Sequence, residues 1–212
     1  MEGVILGLAL LFGAGIMGYS YTHLPPLDFR PYKVGNHIPT LMEVPDDAEP
    51  DVYETTLIYA DDEGNEQEFT LDNYPKNDPN WTFVDQRSVL IKKGYEAPVH
   101  DFEILTMDFD DITYDILESE EPVTLIAMYD LKKTDRKQMN KVQAVLAENP
   151  NAYILTGSGS DEIEQMAEEY NLDIERFCFI DPVTLKTVVR ANPGLVIIAN
   201  GTIVSKANLR QL

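Results

Sequence analysis

The sequence predicts an α/β protein whose main domain has a central mixed sheet flanked by helices. A small β-rich unit and an N-terminal transmembrane helix precede that domain along the chain. Three observations carry this. Residues 122–206 run strand, helix, strand, helix, strand, helix, hairpin, with short apolar runs separated by stretches of helical spacing. Residues 34–93 hold several β-rich runs around turn signals. From Gly3 to Leu27 there is no Asp, Glu, Lys or Arg.

The apolar run Gly3 to Gly18, with Tyr19 and Tyr21 after it, gives about 20 residues, enough to cross a hydrocarbon core of about 30 Å. Tyrosines at that point suit a headgroup interface. A membrane helix is therefore expected over residues 1–23, meeting lipid through residues 3–22. A cleaved signal peptide is one alternative, although it wants Lys or Arg before the apolar stretch and only Glu2 is there; a buried core helix is another. Gly7, Gly13, Ala14 and Gly15 leave small faces that suit packing against other transmembrane helices of a larger assembly. Arg30 and Lys33, just after the span, favour a cytoplasmic body by charge alone. Residues 24–33 are proline-stiffened and are expected to hold the body at a set distance from the membrane.

With 16 basic and 37 acidic residues the net charge is -21. This makes nucleic acid a poor partner and an anionic bilayer surface a repulsive one. Within the β-rich unit, Tyr53–Ala60 and Gln67–Leu71 flank an acidic turn and read as a hairpin, and Trp81–Asp85 and Ser88–Lys93 continue the strand pattern. An EF-hand needs its glycine at the sixth loop position, and Gly64 comes too early. His23, His37 and His100 lie far apart without cysteine company, so no metal or other cofactor is expected.

In the main domain, residues 94–212, Asp135 and Gln138 form a capping-box pattern ahead of a helix whose inner face is Met139, Val142, Val145 and Leu146. Ala152–Leu155 is a strand, and Ile163, Met166, Ala167 and Tyr170 make the next buried stripe. Asp181–Pro182 opens a third helix, with Leu185, Val188 and Val189 inward. The glycine-rich Thr156–Glu162 lacks both the third glycine of a dinucleotide fingerprint and the Lys of a P-loop, and Asp161 and Glu162 would repel a phosphate there. It reads as a capped turn. Lys186 and Arg190, four apart, form a basic pair that reads as an exposed helix face or as a contact for an acidic partner. Cys178 is the only cysteine, in an apolar run that reads as a buried strand.

Two stretches carry a resemblance. Gly94-Tyr95-Glu96-Ala97-Pro98-Val99-His100-Asp101-Phe102-Glu103-Ile104 is similar to the opening of thioredoxin-like domains of the TlpA and peroxiredoxin type. Arg190-Ala191-Asn192-Pro193-Gly194-Leu195-Val196 with Asn200-Gly201-Thr202 resembles the place where that fold sets a cis-proline before a buried strand. Dithiol exchange needs an attacking thiolate at a helix N-terminus and a resolving thiol three residues on. At the aligned place stand Lys132-Lys133-Thr134-Asp135. The resemblance thus implies a thioredoxin-like domain without its dithiol site, which binds a protein partner through Tyr129, Asp130, Lys132, Lys133, Thr134, Arg190, Asn192, Pro193 and Gly194. A single-thiol oxidoreductase using Cys178, or a purely structural cap on a membrane assembly, are the alternatives.

Leu24–Gly35 (LPPLDFRPYKVG), Gly94–Phe102 and Thr184–Gly194 with Asn200-Gly201-Thr202-Ile203 also resemble the C-terminal region of bacterial DoxX-type membrane proteins, which carry a MauE-like helical bundle, one further span and then a soluble extension. By that resemblance the chain starts at the last span, without the bundle, as a cut-down piece, a fragment or a stand-alone anchored version. It implies partnership in a membrane redox system of the inner membrane, with the body on the periplasmic side. Lys206 is followed by Ala207, where that family commonly has Trp.

Overall fold

The structure, a computed structural model, describes residues 2–212 and so leaves the first residue of the predicted span outside. It contains two compact units, one built from the residues up to Glu43 with Pro98–Leu212, the other from Val44–Ala97. Along the chain come α1 (Glu2–Thr22), α2 (Ile38–Met42), β1 (Val52–Ala60), β2 (Glu66–Thr70), β3 (Thr82–Lys92), α3 (Thr113–Leu117), β4 (Val123–Ala127), α4 (Met139–Glu148), β5 (Ala152–Thr156), α5 (Ser160–Tyr170), β6 (Phe177–Phe179), α6 (Pro182–Val188), β7 (Gly194–Ala199) and β8 (Thr202–Asn208).

In the first unit five strands form one sheet in the order β6-β5-β4-β7-β8. β4, β5 and β6 are parallel, and β7 and β8 run antiparallel to their neighbours. This is the thioredoxin-like class, a mixed sheet between helices. β4 is buried on both faces, which is why its sequence, Val123-Thr124-Leu125-Ile126-Ala127, is almost unbroken in apolarity. Leu125 and Ala127 point into one core with α3 and α6, while Ile126 and Met128 point into the other with α4 and α5. Each fully buried Leu or Ile contributes about 1.5–3 kcal/mol by leaving water. The β7–β8 turn is tight because Asn200 and Gly201 both take positive φ, 47° and 70°, as a two-residue hairpin of the Asn-Gly kind requires.

Each edge of the sheet is met by a backbone segment at one end. Leu105 exchanges backbone hydrogen bonds with Phe179 on β6, and residues 35–38 bond the hairpin that ends in β8 through Gly35 N–H to Ile203 O and Ile38 N–H to Gly201 O. Such contacts partly occupy the backbone groups of the edge strands. Residues 34–43 therefore belong with this unit.

Asp181 accepts hydrogen bonds from the N–H groups of Val183 and Thr184 and starts α6 as its sequence suggests. The capping box at Asp135 does not close. Asp135 caps a short 3-10 turn, Arg136–Gln138, and α4 begins only at Met139. The reason is that the Asp135 N–H, which Gln138 would need, donates to the Asn192 carbonyl instead; the Gln138 Oε1 is left buried without a partner.

Helix α1 has no polar face, and none of Ile5–Thr22, with mean hydropathy 1.5, is buried. By length and composition it fits a membrane span or a signal sequence. The stretch after it is not a free spacer. Tyr32 is 4% exposed and packs its ring 5.7 Å from that of Phe102. Asp28 accepts from Arg30 Nε at 2.7 Å and from Lys206 Nζ at 2.7 Å, and Lys206 also donates to the Tyr32 carbonyl. Burial alone would raise the Asp28 carboxyl, but the hydrogen bonds from Arg30 and Lys206 outweigh it and hold the group well below the usual carboxylate range.

The second unit is an antiparallel sheet in the order β2-β1-β3. The Asp61 carboxylate accepts from the N–H groups of Glu63 and Asn65 and so builds the β1–β2 turn. Tyr59 meets Phe69, Tyr74 and Phe83, and Phe69 meets Trp81 edge-on at 5.1 Å.

Candidate functional site

The carboxyl end of β4 leads into Met128–Asp135, and the loop before β7 comes to lie beside it. The two are stitched together by side chains. Asn192 donates from Nδ2 to the Asp130 carbonyl at 2.8 Å. Thr134 Oγ1 lies 3.0 Å from that carbonyl and 3.1 Å from Asn192 Oδ1, so its one proton is shared between two acceptors. The Asp135 N–H reaches the Asn192 carbonyl at 3.3 Å. The Asn192–Pro193 peptide is cis.

Thr134, Asn192, Pro193 and Gly194 are buried, so this polar latch is the floor of the site. Thr134 is a hydrogen-bonding member of the latch. A Cβ on Gly194 would lie 2.8 Å from Val189 Cγ2, which accounts for the glycine there. Asp130 caps the turn Leu131–Lys133 and takes Lys133 Nζ at 2.6 Å; the Lys133 hydrogen bond lowers its carboxyl. Lys132 pairs with Glu162 at 2.7 Å and lowers that carboxyl in turn. Both lysines are nevertheless largely exposed, at 76% and 80%. Exposed pairs of this kind are worth only about 0–1 kcal/mol and exchange partners readily. Tyr129 is half-buried, with the Lys186 ammonium 5.2 Å from its ring centre.

Arg190 goes elsewhere. It is exposed and lines a cavity of about 250 Å³ with Tyr19, Ser20, His23, Leu24, Pro25 and Pro26, at the end of α1. The sequence also gave no sign of Arg210, which joins Asp135 at 2.8 Å, donates to the Tyr21 carbonyl and stacks 4.2 Å over the Tyr21 ring. That chain of contacts ties the end of α1 to the site loop. Asp135 is lowered chiefly by its hydrogen bond from Arg210.

Cys178 is 1% exposed, pairs with Leu155 across the sheet, and burial pushes its thiol up to about 11. A nucleophilic thiol needs the opposite shift and an open face, so the geometry disfavours single-thiol chemistry. The glycine-rich loop is spent on packing. Gly157 lies so close to Pro182 that a Cβ would sit 2.6 Å from its side chain, and Ser158 Oγ accepts from the Leu131 N–H. Among the described residues no three His, Cys, Asp or Glu side chains are placed to hold a metal ion. A cavity of about 780 Å³ opens between His100–Leu105 and Phe179–Pro182, with Phe109, at φ 65°, stacked on Phe179.

A domain of unknown function, DUF8463, matches residues 53–93, within the second unit. No curated protein matches the chain. Similar solved structures include a thioredoxin-like protein from Aeropyrum pernix (10% identity, 51% of this chain and 81% of that one, TM-score 0.39). Others are a secreted Mycobacterium tuberculosis disulfide oxidoreductase homologous to E. coli DsbE (18%, 51% and 83%, TM-score 0.38) and a peroxiredoxin-like protein from Aquifex aeolicus (9%, 50% and 70%, TM-score 0.37). The thioredoxin-like class of the first unit follows from its own strand order and from the proline loop that precedes β7.

Proposed function

We propose that the chain is a membrane-anchored, thioredoxin-like binding module. Its first unit serves as a scaffold that holds a protein partner at the loops 129–134 and 192–194, without dithiol exchange. The observation that carries this is the latch formed by Asp130, Thr134 and Asn192, which ties the loop after β4 to the loop before β7. It gives a rigid floor with two exposed lysines on its rim, a surface that suits an acidic segment of a partner. The resemblance to DoxX-type proteins supports a place in a membrane redox system, with α1 in the inner membrane and the body on the periplasmic side.

The test is co-purification of the full chain from detergent-solubilised membranes, comparing wild type with a Lys132→Glu, Lys133→Glu variant. A partner kept by wild type and lost from the variant, with unchanged circular dichroism, is the expected outcome. A partner kept equally by both removes the loop from the account.

A further inference from the structure

We infer that the foot of α1 is a binding site for anionic phospholipid headgroups, with Lys33 and Arg190 as the groups that receive the phosphates. The inference rests on α1 being a membrane span.

Two adjoining cavities share Leu24, Pro25 and Pro26 as a common wall. One, of about 250 Å³, adds Tyr19, Ser20, His23 and Arg190; the other, of about 310 Å³, adds Asp28, Arg30, Lys33, Val34 and Lys206. Each therefore combines an apolar wall with basic side chains at the end of an apolar helix. In a bilayer this is the depth at which the glycerol and phosphate of a lipid lie. The cavities are also fixed relative to the helix. Asn208 and Arg210 both donate to the Tyr21 carbonyl, and the docked segment 28–32 holds the chain on the other side.

The charge balance at this foot is opposite to that of the whole chain. Arg30, Lys33, Arg190, Lys206 and Arg210 lie around this foot, and two carboxylates are paired with some of them. Asp28 is taken by Arg30 and Lys206, and Asp135 by Arg210. Lys33 and Arg190 are exposed, and among the described residues neither is held in an ion pair. Much of the net -21 resides elsewhere, since residues 44–97 alone hold 14 of the 37 acidic residues and only 4 of the 16 basic ones. A local attraction is thus set against the overall repulsion expected between this protein and an anionic bilayer. Electrostatic attraction fades within about 8 Å at physiological salt, so the nearest charges decide the contact. Guanidinium and ammonium groups beside a bilayer favour anionic headgroups by about fivefold per residue.

The experiment uses the full chain in nanodiscs of phosphatidylcholine with one quarter phosphatidylglycerol, about 25% by design, followed by native mass spectrometry of the lipids retained. Wild type is expected to retain phosphatidylglycerol selectively. The Lys33→Gln, Arg190→Gln variant is expected to lose about twenty-fivefold of that selectivity, from two residues at about fivefold each. The Lys132→Glu, Lys133→Glu variant keeps the selectivity even if it loses a protein partner, which separates this site from the one proposed above. Equal retention of both lipids by wild type overturns the inference, as does an unchanged double variant. Inorganic phosphate held by the chain in pure phosphatidylcholine discs as tightly as phosphatidylglycerol would make the ligand a free anion and overturn it as well. Release of the chain by alkaline carbonate would show that α1 does not span, and would remove the inference with its premise while leaving loop binding to be scored by co-purification.

Discussion

Replacing Asn192 tests whether the polar latch holds the candidate site together. Asn192→Ala removes the 2.8 Å bond to the Asp130 carbonyl and the 3.1 Å contact with Thr134. Thr134 can still give its proton to Asp130, so the loss is two neutral hydrogen bonds with little residual orphaning, about 1–3 kcal/mol. For a domain of this size about 2 kcal/mol corresponds to a fall of about 4–8 °C in Tm. Asn192→Asp keeps the shape but turns the donor into a carboxylate oxygen facing the Asp130 carbonyl. Burial and that carbonyl raise the folded pKa of the new acid above its unfolded value of about 3.9. The deficit is then absent below about pH 4, grows as pH rises through the folded pKa, and is constant above it. Thermal melts of both variants in detergent at pH 4 and pH 7 read these effects. A Tm within about 1 °C of wild type for Asn192→Ala, or a pH-independent deficit for Asn192→Asp, would refute the latch.

Other outcomes follow from the same geometry. Lys206→Met strips one partner from Asp28 and leaves the Tyr32 carbonyl unpaired, for a loss of about 2–4 kcal/mol in urea unfolding, below the usual cost of a broken buried pair because Arg30 remains. Since the folded Asp28 pKa is lowered, its contribution is present above about pH 4 and is lost as pH falls toward the folded value, so Asp28→Asn should give a flatter acid limb than wild type. Cys178 should stay unlabelled by a thiol reagent at pH 8 until denaturant is added, because a thiol near 11 is thiolate in about one molecule per thousand; labelling within minutes in the folded protein would restore a reactive-thiol role. Gly157→Ala should cost about 1–3 kcal/mol through its clash with Pro182, measurable by the same unfolding assay.

The elements that could be read in the sequence are those whose signal is local. β4 and β7 are almost unbroken apolar runs because both faces of a central strand are largely buried. Asp181–Pro182 marks a helix start by its own chemistry, and Asn200–Gly201 marks a turn because both residues accept positive φ. The candidate site was legible only in part. Asp130, Thr134 and Asn192 were singled out, but their mutual bonds span 58 and 62 positions and leave no periodic trace. The Asp28–Lys206 pair, 178 positions apart, and the Arg210 contacts with Asp135 and Tyr21 were invisible for the same reason. The capping box misled because local pattern cannot show that a distant carbonyl, that of Asn192, claims the Asp135 N–H.

The central claim is that the loops on either side of the latch, rather than the β unit, hold the partner. It is tested most directly by placing a photocrosslinking amino acid at Lys133 in one full-length protein and at Val89 on β3 in another, and irradiating each in native membranes. The account predicts a discrete protein adduct from position 133 that disappears when Lys132 is also changed to Glu, and none from position 89. An adduct from position 89 alone would contradict it.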